Sequence, residues 1–119
     1  MNALKIFSRV YVNDLDASIA FYEALTGATC ESRFAYKEKA LELAQIGSLL
    51  LIAGSDQALA PFRATNLTIL VDSISEYKEF LLNSGAVIIR DITNVPTGFN
   101  MTAQHKDGTI VEYVEFANA

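Results

Sequence analysis

Few side chains in this chain of 119 residues can do chemistry, and it holds one cysteine and one histidine. Cys30 opens a predicted strand beside Glu31, with no basic neighbour before Arg33. A thiol becomes a nucleophile beside positive charge, so Cys30 reads as a small half-buried side chain. His105 sits at the tip of a predicted hairpin and reads as exposed or hairpin-stabilising. The sharpest pair is Arg9 and Glu112. A guanidinium can clamp a carboxylate or enolate, and a glutamate next to it can serve as base or hydrogen-bond acceptor. The same two residues read equally well as a structural ion pair that neutralises two charges.

These residues are positioned by a strand that runs straight into a helix. In Arg9–Gly27, Val10 and Val12 alternate with Arg9 and Tyr11, the period of a half-buried strand. Asp14 can accept from the first free N–H groups of a helix. Leu15, Ile19, Tyr22 and Leu25 then follow at helical spacing, and Gly27 is the stop. The plan returns in Asn66–Gly85, with Ser73 and Glu76 as a capping box and Ile74, Tyr77 and Leu81 as the apolar stripe. Strands are predicted at 4–12, 29–36, 39–46, 48–54, 65–71, 86–93, 99–105 and 109–116, with helices at 14–26 and 73–84. SLLLIAG, 48–54, is almost wholly apolar and is expected to be central or covered on both faces. Residues 55–64 break periodicity at Pro61 and read as the connector between halves. The last two strands form a hairpin around Lys106-Asp107-Gly108. Each half is β-α-β-β-β, a tandem duplication.

Composition narrows the function classes. Hydrophobic residues make up 51% and charged residues 19%, the balance of a folded domain. A net charge of −5 argues against nucleic acid, which needs a basic face. No apolar run is long enough to span a bilayer. MNALKIF carries no charged-then-apolar targeting pattern, and a lone cysteine suits a reducing compartment, so a cytoplasmic protein is expected.

Asp14, Ser18, Phe21 and Tyr22 resemble the D-x-x-x-S-x-x-F-Y opening of the vicinal oxygen chelate superfamily, the glyoxalase, bleomycin resistance and extradiol dioxygenase group. HKDGTIVEYVE, 105–115, resembles its closing hairpin. The resemblance implies an α+β fold in which two tandem β-α-β-β-β modules form a cupped mixed sheet. It implies a single glyoxalase-like domain over 1–119, with modules at 1–54 and 65–119 joined by the connector 55–64. In the metal enzymes of this group, one ligand comes from the first strand and one from the last strand of each module. Counting from Asp14 and from the glycines Gly47 and Gly108 puts Phe7, Leu51, Asn66 and Glu112 at those positions. Two are apolar and only Glu112 is of the usual type. No resident metal or other cofactor is expected, and a weakly bound divalent ion would have only Glu112 and Asn66 to hold it.

Alternation along the strands then says which residues share the cup. Phe7, Arg9 and Tyr11 face inward on the first strand, and Asn66, Thr68 and Leu70 on the fifth. Phe99, Met101 and Ala103 are expected on the helix side, which turns Asn100, Thr102 and Gln104 inward with Glu112. Such a wall, apolar with a few convergent polar groups, suits a small-molecule ligand. Phe34, Tyr36 and Phe62 read as mouth or as ordinary core aromatics. The function expected is a small-molecule-binding protein with a degenerate metal site. The alternative is a lyase, isomerase or dioxygenase-like enzyme on a small oxygenated substrate, with Glu112 and Arg9 as its catalytic pair. A homodimer is expected.

Overall fold

A computed structural model of the chain describes residues 1–117, so the last two residues of the expected second module lie outside the described ones. Secondary structure is mixed α+β: β1 Ala3–Val12, α1 Leu15–Thr26, β2 Cys30–Tyr36, β3 Leu41–Ile46, β4 Leu49–Ala53, α2 Asp56–Leu59, β5 Thr65–Val71, α3 Ile74–Asn83, β6 Val87–Val95, β7 Gly98–Gln104 and β8 Ile110–Phe116. A single 3-10 turn, Lys37–Lys39, joins β2 to β3. No helix among the described residues is long and apolar enough to cross a membrane. The chain divides into two compact units. One is Phe7–Ala64; the other is Met1–Ile6 with the chain from Thr65 onward.

In the unit Phe7–Ala64 the strands lie in the order β2-β3-β4-β1. β1 and β4 are parallel, with Arg9 opposite Leu50 and Val10 opposite Leu51. Asp14 caps α1 as expected, its carboxylate accepting from the Ala17 N–H at 3.1 Å. Gly27 ends it at φ 76°, a conformation that costs a residue with a Cβ. One side of this sheet packs on α1 through Leu15, Ala44, Ile46, Leu51 and Ala53. The other side has a core of its own, Phe7, Leu41, Leu50, Ile52 and Leu59. β4 is therefore buried on both faces, which explains its unbroken apolar run.

In the other unit the order is β5-β8-β7-β6, with β5 and β8 parallel. Here there is one core, on the α3 side: Val71, Ile74, Leu81, Met101, Ala103, Val111 and Tyr113. Ser73 caps α3 as expected, its hydroxyl accepting from the Glu76 N–H at 3.4 Å, and the first helical N–H, of Ile74, goes to the Glu115 carboxylate of β8 at 2.7 Å. The hairpin after β7 closes as predicted. The His105 N–H donates to the Thr109 carbonyl and the Gly108 N–H to the His105 carbonyl, at 2.8 and 2.9 Å.

Candidate functional site

Of the polar residues expected on one wall, Thr68, Asn100, Thr102, Gln104 and Glu112 share a face of β5-β8-β7-β6, the face away from α3, while the pairing of β5 shifts at Asn66. Thr68 lies opposite Glu112, Glu112 opposite Thr102, and Thr102 opposite Arg90. These four side chains form a row across four strands. Neighbouring strands are about 4.8 Å apart, so the row is about 15 Å long. The Thr68 hydroxyl donates to Glu112 Oε1 at 3.4 Å, and Arg90 Nη1 donates to Asn100 Oδ1 at 2.6 Å. Thr68 and Asn100 are the two buried polar side chains among the described residues, 6% and 9% exposed. A buried polar group costs stability unless it is hydrogen-bonded, and both have partners here. Thr102 and Glu112 are half-buried and Asn66 and Arg90 exposed, so nothing in this unit closes over the row. Gln104 has a local duty, donating to the Gly108 carbonyl at 3.3 Å.

In the unit Phe7–Ala64 the corresponding face is filled by its own chain. The connector, read from sequence as a linker, folds into α2. The Ser55 hydroxyl caps it by accepting from the Ala58 N–H at 3.1 Å. Leu59, fully buried, and Phe62 then pack on Phe7, Leu50 and Ile52. Phe7 and Tyr11 are thus on the expected face as members of a core. The Tyr11 hydroxyl donates to the Phe62 carbonyl and accepts from Arg9 Nη1 at 3.0 Å, while the Arg63 guanidinium stands 5.9 Å from the Tyr11 ring centre. Phe34 and Tyr36 lie opposite Leu43 and Leu41 and are exposed on the edge strand β2.

Leu51 is on the opposite face from the one expected, within the α1 core beside Leu15 and Ala44. The count from the hairpin glycine fails because the two hairpins differ. β3 and β4 close at Ile46 opposite Leu49, a two-residue turn, whereas β7 and β8 close at Gln104 opposite Ile110. Ile46 is on the helix side, and Gln104 is on the face away from it, alternating with the buried Ala103. The same step from glycine therefore reaches opposite faces. Leu50, paired with Arg9 as Glu112 is with Thr68, is the counterpart of Glu112.

With that correction the set at the superfamily's metal positions is Phe7, Leu50, Asn66 and Glu112. Phe7 and Leu50 are buried and offer no lone pair. Among the described residues no three His, Cys, Asp or Glu side chains could hold an ion together. These donors do not fit a divalent metal. A surface depression of about 690 Å³ lies elsewhere, at the N-terminal end of α1. Its Arg33 is bound to Asp16 at 2.5 Å and to Glu42 at 3.4 Å. The hydrogen bond that Arg33 donates to the Asp16 carboxylate holds its pKa above the usual arginine value. That cleft has charges that already satisfy each other.

Two residues of consequence were missed in the sequence, Arg90 and Leu59. Strict alternation puts Arg90 on the side of Ile88 and Ile92, which pack in the α3 core. Irregularities in pairing on either side of Arg90 turn it to the opposite face. A charge between two isoleucines at strand spacing was the available signal. His105 takes the hairpin-stabilising one of its two expected roles, its N–H and carbonyl closing the turn. It is half-buried, and its Nε2 shares a hydrogen bond of 2.5 Å with the Tyr113 hydroxyl. Tyr113 packs against the Tyr77 ring, and burial pushes its pKa up to about 12.

No family model matches the chain. An uncharacterized Bacillus subtilis protein, YwbC, is 28% identical over 116 residues, covering 90% of each chain. The crystal structure of methylmalonyl-CoA epimerase from Mycobacterium tuberculosis superimposes with a TM-score of 0.74 at 18% identity, covering 99% of this chain and 94% of that one. That likeness establishes the fold. An uncharacterized protein from Methanosarcina mazei superimposes with a TM-score of 0.86 at 48% identity, over 100% of this chain and 97% of that one. The chain thus has the glyoxalase-like fold, and it belongs to one family with the Methanosarcina mazei protein.

Proposed function

We propose that this is a small-molecule-binding protein whose ligand lies on the row Thr68, Glu112, Thr102 and Arg90, without a resident metal. One observation carries the reading. Among the described residues, the face of β5-β8-β7-β6 has buried and half-buried polar groups and no apolar core from its own unit, whereas the other unit's face is packed shut by Leu59 and Phe62. A sheet face built only for stability would be apolar and covered. Purified protein prepared without chelator is expected to carry less than one equivalent of zinc, nickel, iron or manganese. Stoichiometric metal that survives dialysis and disappears in Glu112→Ala would overturn the metal-free part of the reading.

Glu112 and Arg9 are its first variants. If Glu112 serves a ligand, Glu112→Gln costs little stability and abolishes binding. If it serves the fold as a buried ion, the same change costs about 3 kcal/mol or more and leaves binding largely intact. A thermal-shift screen of small carboxylates and phenols on wild type and Arg9→Met checks Arg9 in the same way. A second reading, a lyase or isomerase, is favoured by Glu112 being the carboxylate of that row, with the Thr68 hydroxyl donating to it. It calls for a proton acceptor, and it predicts deuterium uptake next to the carbonyl of a bound oxygenated substrate, lost in Glu112→Gln. Methylmalonyl-CoA is the first substrate to assay. A homodimer is part of the proposal. Leu4, Ile6 and Phe80 are each at least half exposed, and light scattering should give twice the chain mass.

A further inference from the structure

We propose that Arg90 is the anion anchor of this face, and that the ligand is a small hydroxycarboxylate held between Arg90 and Glu112. The inference rests on the binding reading above and adds the residue and the ligand class. Arg90 is brought to the face by the irregular pairing on both sides of it. Its guanidinium is drawn over β7 by the carbonyl oxygen of the buried Asn100 side chain at 2.6 Å. Among the described residues no carboxylate pairs with it. Guanidinium has five donors in a planar fork, so one bond to Asn100 fixes its direction and leaves the rest of the fork for a carboxylate. The amide of Asn100 is neutral, so it orients the cation without neutralising it.

The partner chemistry comes from the same row. Glu112 lies on β8, diagonal to Asn100 on β7, and such diagonal positions are about 7–8 Å apart. A carboxylate accepts hydrogen bonds and repels anions, so Glu112 calls for a hydroxyl or enol on the ligand rather than a second acid. Both positions lie on one face of neighbouring strands, so an acid at the Arg90 fork and a hydroxyl at Glu112 can belong to one small molecule. Half-buried Thr102, between Arg90 and Glu112 in the row, offers either ligand group a hydroxyl.

The test is calorimetric titration of 3-hydroxybutyrate and 3-hydroxybenzoate, each beside its neutral amide, into wild type, Arg90→Gln, Arg90→Lys and Arg33→Gln. Arg90 is exposed, so its variants are expected to fold as wild type does. Wild type is expected to bind at least one acid and to bind its amide about tenfold or more weaker, the scale of one charge-assisted pair. Arg90→Gln should lose the preference for acid over amide. Arg90→Lys should keep part of it, and Arg33→Gln, which removes the same charge elsewhere, all of it. Equal acid binding by wild type and Arg90→Gln overturns the proposal. So does an amide that binds wild type as tightly as its acid, an outcome that leaves the binding reading standing. If neither acids nor amides bind, the proposal fails here too. A fragment screen on wild type and Glu112→Gln then decides the broader reading, which fails if no fragment binds wild type and loses its binding in Glu112→Gln.

Discussion

Leu50 and Glu112 occupy the same place in two copies of one β-α-β-β-β plan, and they have opposite surroundings. Leu50, opposite Arg9, is buried beneath Leu59. Glu112, opposite Thr68, is half-buried beneath no element of its own unit. The unit Phe7–Ala64 has an apolar core on each side of its sheet; the other unit has its core only on the α3 side. A duplicated plan does not oblige both copies to do the same work. One has given its second face to stability through a short helix, and the other has left that face polar. Of the four positions at which the resemblance expects metal ligands, Phe7 and Leu50 are core in one unit, and Asn66 and Glu112 are hydrogen-bonding side chains in the other.

The sharpest way to break this contrast is to remove the cover. Leu59 is fully buried, so Leu59→Ala should cost about 2–5 kcal/mol in chemical denaturation, the range for deleting a large core side chain. Leu50→Ala should fall in the same range, whereas Glu112→Ala should cost clearly less than Leu50→Ala. A Leu59→Ala cost below about 1 kcal/mol would mean that α2 rests on the sheet without holding it.

A smaller effect sharpens the other side of the contrast. The α3 core contains Tyr113, whose hydroxyl meets His105 and whose pKa burial raises from 10.0 to about 12. The folded state binds this proton more tightly than the unfolded chain does. The contribution is therefore whole below pH 10, and it is lost as pH rises toward about 12. Stability should fall by about 1.4 kcal/mol per pH unit across that window. Tyr113→Phe should remove most of that slope. An unchanged slope in Tyr113→Phe would assign it to other groups.

Next in size is the tie between β1 and the connector. Tyr11→Phe deletes the hydroxyl that donates to the Phe62 carbonyl and accepts from Arg9. About 1 kcal/mol should be lost, the net worth of an ordinary hydrogen bond. The loss should also be local. The Phe62 N–H, bonded to the Leu59 carbonyl at 2.9 Å, should exchange with solvent faster, while the amides of β7 and β8 keep their protection.

Most of the scaffold was legible in the sequence, because it depends on neighbours along the chain. Asp14, Ser73 and Gly27 act within a turn of where they stand, and the faces of β1, β5, β7 and β8 follow the two-residue period. What was not legible depends on residues far apart in the chain. Leu59 looks like one apolar residue in a broken stretch until Phe7 and Leu50 are beneath it. Leu51 and Leu50 are interchangeable in an all-apolar strand, and only the tighter turn at Gly47 decides which of them meets α1. Arg90 needed a break in alternation that pairing with β7 supplies. On the candidate face, Thr68, Thr102 and Asn100 were found by period and Glu112 by its step from the hairpin glycine, whereas Arg90 is placed there by its pairing with Thr102 and its bond to Asn100.

The smallest stability effect carries the most information about function. Thr102 is half-buried at the middle of the row, between Arg90 and Glu112. Thr102→Val replaces a hydroxyl by a methyl and keeps the β-branch, so strand preference and shape are nearly conserved. On a covered face a change of this kind would be felt through packing. On an open one the hydroxyl is traded against water, and stability should move by no more than about 0.5 kcal/mol. If a small hydroxycarboxylate bridges Arg90 and Glu112, the lost hydroxyl lies under it, and affinity should drop by about threefold to tenfold, the worth of one neutral hydrogen bond. Denaturation and calorimetry on the same sample separate the two. A variant that binds 3-hydroxybenzoate as wild type does, yet unfolds with a loss above about 1.5 kcal/mol, would make this row a structural ladder and erase the difference between the two faces.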